Sequence, residues 1–189
     1  MSARILVVYG TSYGQTAKVA DRIHRQLLAR DIEVFIANVA EMSPNPDLVG
    51  FDGVIVAASV IRGRHQRAIE RFARSNASFL NAHPSAFVSV SASAAGRDLG
   101  SRLDAQRAVD DFVRRTGWTP QATALVAGAM AFTKYSWPVR WVLKRISASH
   151  GGPTDTSRDH ELTDWTQVES FARDFARRVS PSDVPAAAP

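Results

Sequence analysis

Five short apolar runs, each set off from the next by polar or amphipathic chain, constrain the fold of this sequence more than any other feature. They are Ile5-Leu6-Val7-Val8, Val34-Phe35-Ile36-Ala37, Val54-Ile55-Val56-Ala57, Ala86-Phe87-Val88-Ser89-Val90 and Ala124-Leu125-Val126-Ala127. They are rich in β-branched residues and do not alternate apolar with polar, the pattern of strands covered on both faces of a parallel sheet. Helical spacing fills the gaps: Val19, Ile23 and Leu27; Ile69, Phe72, Ala73 and Leu80; Val109, Phe112 and Val113; Val168, Phe171, Ala172, Phe175 and Val179. Residues 41–46, with Pro44 and Pro46, read as a loop. The order is βαβ(α)βαβαβ, a long connection and a last helix. It predicts an α/β, doubly wound sheet of five parallel strands with right-handed crossovers.

Residues 131–162 interrupt the rhythm between the fifth strand and the last helix. Connections in such folds run about 2–6 residues, so an insertion this long is expected to carry function. Residues 180–189, with three prolines and three alanines, have nothing to pack and are expected to be disordered. One domain over residues 1–179 is the expected organisation.

Composition excludes several chemistries. A 45% hydrophobic, 22% charged chain can bury a core and is not wholly disordered. With no cysteine there is no disulfide, Cys nucleophile, zinc ribbon or Cys-ligated iron–sulfur cluster. Five scattered histidines give little material for a metal site, and none is expected. No stretch of about 18 apolar residues spans a membrane. Met1-Ser2-Ala3-Arg4 runs straight into the first strand without a secretory leader's basic start and apolar core, so the expected location is the cytoplasm. The net charge is +5, and no acidic residue lies between Asp111 and Asp155, a stretch holding Arg114, Arg115, Lys134, Arg140, Lys144 and Arg145. A block of one sign suggests an anionic partner.

The first strand ends in Thr11-Ser12-Tyr13-Gly14-Gln15-Thr16. Hydroxyls and glycine at a helix N-terminus suit a phosphate, held by backbone N–H groups and the helix dipole. The loop has neither the Lys of a triphosphate-binding loop nor a GxGxxG fingerprint, which points to a monophosphate. Ser12 or Thr16 acting only as a helix cap is the plainer alternative.

This loop resembles the flavin mononucleotide (FMN) phosphate loop of flavodoxins. Phe51-Asp52-Gly53 with Ala58-Ser59, Pro84-Ser85, Ala127-Gly128-Ala129, Gly151-Gly152-Pro153-Thr154-Asp155-Thr156 and Thr163-Asp164-Trp165 follow in order. Together they resemble the flavodoxin-like, quinone-dependent protoporphyrinogen IX dehydrogenase family over residues 4–178. The resemblance implies an FMN enzyme of haem biosynthesis on the cytoplasmic face of the membrane. It would oxidise protoporphyrinogen IX to protoporphyrin IX, a six-electron change, and pass the electrons to menaquinone or ubiquinone. By position, Ser59-Val60-Ile61-Arg62-Gly63 and Ser91-Ala92-Ser93-Ala94-Ala95-Gly96 would bracket the isoalloxazine ring, and Gly152, Asp155 and Thr156 would add contacts. Where the family has a more basic loop after strand four, this chain offers only Arg97.

In the insertion, Lys134, Trp137, Arg140, Trp141, Lys144 and Arg145 combine aromatic and basic character. They suit an anionic membrane surface, or the two propionates of a porphyrin; a packed helix with core tryptophans is the alternative. The stripe is short and no nucleic-acid motif accompanies it, so nucleic acid is not an expected partner. His65 and His83 are expected at the surface or in caps, Asp164 as the cap of the last helix, and Asp155 either at the flavin or in a turn. No general base is identified. A soluble electron-carrier flavodoxin and a flavodoxin-like quinone reductase with another donor are the competing functions. Carriers are usually strongly acidic, which this chain is not.

Overall fold

The computed structural model describes residues 2–43, 46–96, 98–130, 132–134, 136–149 and 154–180. The expected disordered tail beyond Ser180, Gly152 and Arg97 lie outside these residues. Along the chain come β1 (Arg4–Gly10), α1 (Gln15–Leu28), β2 (Glu33–Asn38), β3 (Gly53–Ile61), β4 (Arg64–His65), α2 (Arg67–Ser75), α3 (Ala77–Ala82), β5 (Ser85–Ser91), α4 (Leu99–Thr116) and β6 (Ala122–Ala127). After β6 follow β7 (Ala129–Met130), α5 (Trp137–Ser149), β8 (His160–Glu161) and α6 (Trp165–Val179).

The main sheet has the parallel order β2-β1-β3-β5-β6, so the chain reverses its winding between β1 and β3. All five apolar runs lie inside these strands. Successive strand residues face opposite sides and both are covered at β1, β3 and β5, which is why those runs do not alternate; the edge strand β2 departs from the expectation and leaves Phe35 and Ile36 exposed. Ile5 and Val7 pack with Ile55, Val88 and Val126 under α1 and α6, against Val19, Ile23, Leu27 and Phe175. Leu6 and Val8 pack with Val54, Val56 and Phe87 on the other face, under Ile69, Phe72, Leu80, Phe112 and Trp118. The buried Trp118 ring donates its Nε1–H to Ser85 Oγ at 2.9 Å.

Two elements differ from the sequence reading. The apolar stripe at residues 69–80 is two helices meeting at Asn76. The Asn76 side chain donates to the Phe72 carbonyl at 2.8 Å, a local bond that competes with helix continuation. The third strand runs past its apolar core to Ile61 and turns back through Arg62 and Gly63 into antiparallel β4. Both turn residues have positive φ, 51° and 74°, the geometry of a two-residue hairpin whose twist matches the strands.

Candidate functional site at the carboxyl edge of the sheet

The carboxyl ends of β1, β3 and β5 lie side by side, in the registers Gly10↔Ala58 and Ser59↔Val90. Three segments leave from them: residues 11–16, the 59–66 hairpin and residues 91–96. The switch point between β1 and β3 is where open α/β sheets form a crevice.

In the first segment, Gly14 stands at the N-cap of α1 with φ 97°, a conformation that penalises a side chain, and no side chain caps the helix. Simple capping by Ser12 or Thr16 is therefore not what the loop does. Thr11 Oγ1 accepts the Gly14 N–H at 2.9 Å, which shapes the turn. Thr16 is 1% exposed, and its hydroxyl has no hydrogen-bond partner. A buried hydroxyl left unpaired costs about 1–3 kcal/mol, so its position beside the uncapped helix start suits an anion-binding role. The Gln15 side chain turns elsewhere: it donates to Thr163 Oγ1 at 2.8 Å, and that hydroxyl donates to the Ala127 carbonyl at 2.7 Å. Gln15 thus anchors the loop to the end of β6 and the entry of α6. Tyr13 is 42% exposed.

The second segment reaches the first through a residue the sequence reading missed. Gln66, at the N-cap position of α2, donates from Nε2 to Ser12 Oγ at 2.9 Å, and Ser12 Oγ lies 3.4 Å from Ser59 Oγ. The Arg62-Gly63 pair was the available signal: read as a two-residue turn, it returns the chain to the sheet edge and sets Gln66 beside the loop. Ser59, Val60 and Ile61 are therefore strand residues, with Arg62 and Gly63 forming the turn. In the third segment, Ser91 ends β5, its Oγ accepts the Ala94 N–H at 3.1 Å, and a 3-10 turn covers Ser93–Ala95 before Gly96. Ala92 opens that turn, and Asp98 then caps α4 by accepting from the Ser101 N–H at 2.9 Å.

Two histidines separate. His83 is half-buried, stacks on Phe79 and bonds its carbonyl, in keeping with a capping role. His65 overturns the surface reading. It is 3% exposed, its Nε2 lies 2.9 Å from Ser89 Oγ, and it packs edge-on to Phe87 and Phe112. Burial, helped by the Arg115 charge and opposed by the Ala108 backbone, lowers its pKa to about 4. It is a neutral core histidine, placed there because the hairpin folds β4 inward.

Asp155 holds a turn. Its Oδ1 accepts from the Ser157 hydroxyl at 2.6 Å and N–H at 3.0 Å, and its Oδ2 pairs with Arg158 at 3.1 Å. The Ser157 hydrogen bonds keep its carboxyl below the usual range. Thr156 beside it is half-buried. Asp164 caps α6 as expected, accepting from the Thr166 and Gln167 N–H groups.

The described parts of the inserted segment form regular structure. β7 and β8 pair antiparallel, and Asp159 Oδ1 accepts from the Thr133 N–H and hydroxyl at 2.9 and 2.7 Å. Lys134 does not sit with the other bases: its Nζ donates to the Tyr13 carbonyl at 2.9 Å, against the first loop. On α5, Trp137, Arg140, Trp141, Lys144 and Arg145 fall at i, i+3, i+4, i+7 and i+8, on one face of the helix, with Arg140 half-buried. Trp137 and Trp141 are 78% and 54% exposed, so they are not core residues, and the Arg145 guanidinium lies 5.0 Å over the Trp141 ring. Among the described residues no helix is long and apolar enough to cross a membrane, and no group of three or more potential ligands could hold a metal.

Comparison with known proteins bears on the family and the fold. The flavodoxin domain family matches residues 6–157. Protoporphyrinogen IX dehydrogenase [quinone] from Escherichia coli (strain K12) is 32% identical over 179 residues, covering 92% of this chain and 94% of that protein. The protein of the same name from Leishmania major is 30% identical over 182 residues, covering 93% and 75%. Among solved structures, oxidised Flavodoxin 2 from Bacillus cereus superposes with a TM-score of 0.59 at 20% identity, covering 93% of this chain and 99% of that one.

Proposed function

The chain belongs to the flavodoxin domain family and to its protoporphyrinogen IX dehydrogenase [quinone] branch, and on that premise we propose that this oxidoreductase uses FMN to oxidise protoporphyrinogen IX to protoporphyrin IX, with a membrane quinone as acceptor. The observation that carries the cofactor is the buried, unpartnered Thr16 hydroxyl at the uncapped start of α1. The residues present fit a phosphate monoester there. Backbone N–H groups of the first turn of α1 and the Thr16 hydroxyl would hold it, with Thr11 fixing the turn. The flavin, when bound, supplies the electron-pair chemistry that links donor to quinone.

What the chain itself contributes is placement. Residues 59–63 and 91–96 leave the sheet beside the loop and would flank a flat ring. The Gln66–Ser12–Ser59 contacts fix the spacing between phosphate and ring segments. No side chain is assigned as a base. The exposed face of α5, two tryptophans among bases, suits the headgroup region of an anionic bilayer, where a lipid-soluble acceptor is reached. The expected residence is peripheral, on the cytoplasmic side.

An anaerobic assay with purified, FMN-loaded protein, protoporphyrinogen IX and a menaquinone analogue tests this. Quinone-dependent appearance of porphyrin fluorescence is expected. Failure to oxidise the porphyrinogen, alongside rapid electron exchange with soluble redox proteins, would make the chain a carrier instead.

A further inference from the structure

We propose that Lys134 supplies, from outside the loop, the positive charge of the phosphate site, so that seating of the inserted segment and retention of the cofactor phosphate are one event. The proposal rests on the FMN reading above. Residues 11–16 contain no base, yet a phosphate monoester carries about −1.5 to −2 charges near neutral pH. Neutral donors orient such a group, and the helix start offsets only about half a charge of it. The Lys134 Nζ is already at the loop, 2.9 Å from the Tyr13 carbonyl, and among the described residues it is the nearest heavy atom (4.0 Å), outside Gly14 and its chain neighbours, to where a Cβ on Gly14 would stand. An ammonium has three donors. One is spent on Tyr13, which leaves two to turn toward an anion at the start of α1.

Among the described residues Lys134 makes no ion pair, although it lies close enough to Asp159 to help the Thr133 hydrogen bonds lower that carboxyl's pKa. The Asp159 Oδ1 takes both of those hydrogen bonds. The peptide between Tyr13 and Gly14 is held at both ends, its N–H by Thr11 Oγ1 and its carbonyl by Lys134. Lys134 stands three positions before Trp137, the first residue of α5. Coupling between two sites is reciprocal, so whatever seats α5 tightens the phosphate, and the phosphate helps to seat α5.

The test is equilibrium titration of apoprotein with FMN and, in parallel, with riboflavin, followed by flavin fluorescence at low and high salt. It compares the wild type, Lys134→Gln and Lys134→Arg. A charge-assisted hydrogen bond is lost in Lys134→Gln, so FMN affinity is expected to fall roughly tenfold to a hundredfold. Riboflavin affinity should be unchanged, the salt dependence of FMN binding should flatten, and Arg should restore most of the loss. The proposal is overturned if Lys134→Gln leaves FMN affinity intact or weakens riboflavin equally. A weaker FMN complex with an unaltered salt slope also overturns it, because Lys134 would then only pin the peptide. A wild type that does not prefer FMN to riboflavin would refute the FMN reading itself.

Discussion

At the scale of single residues, the site keeps a group that the fold does not need. A buried hydroxyl without a partner destabilises the apoprotein, and Thr16 is such a group. Thr16→Val removes it with little change of shape. The apoprotein is therefore expected to gain about 1 kcal/mol of stability while FMN affinity falls about tenfold. Denaturant melts of the apoprotein and flavin titration measure the two effects, and equal stability with equal affinity would place the phosphate elsewhere. The Thr16 hydroxyl was legible as a candidate in the sequence because its spacing from the strand end is local. Gln66 was not, since its contact with Ser12 spans 54 positions and depends on how the 62–63 turn aims the chain.

Among the elements, α5 separates from the rest. Most helices hide an apolar stripe against the sheet, whereas α5 leaves Trp137, Trp141 and Val142 in solvent beside Lys144 and Arg145. Each base near an anionic surface contributes about 1 kcal/mol within a Debye length. Replacing Lys144 and Arg145 with Gln should therefore weaken vesicle binding by about 2 kcal/mol, roughly thirtyfold, read by co-sedimentation with anionic liposomes. FMN should stay bound, because Lys134 is untouched. Turnover with a water-soluble acceptor should survive better than turnover with a long-chain quinone. Equal loss of both activities would put these bases on the propionates of the substrate. The composition of α5 was readable in the sequence, and its single face follows from the i, i+3, i+4, i+7 and i+8 spacing, wherever the helix starts. Its exposure was not readable, since the same spacing serves a helix packed on a core.

For the whole molecule, acid is expected to act through the core as well as the surface. His65 stays neutral in the fold down to about pH 4, while the unfolded chain takes up a proton near the ordinary value of 6.5. Across that interval protons favour the unfolded state. This contribution is complete above 6.5 and is lost as pH falls toward 4, with a slope of at most about 1.4 kcal/mol per pH unit. Urea unfolding at a series of pH values should show a shallower acid slope for His65→Gln than for the wild type, and identical slopes would remove His65 as the cause. What the sequence determined by itself was the five strands of the main sheet, their alternation with helices and the first loop. Each is written in consecutive residues, as an apolar run, a period or a string of hydroxyls at a strand end. The tertiary structure alone decided that His65 is buried, that Gln66 bridges two loops, and that Lys134 leaves its basic neighbours for the Tyr13 carbonyl 121 positions away. Those placements depend on crossovers that bring distant strand ends to one sheet edge, and no local pattern encodes the distance between residues so far apart in the chain.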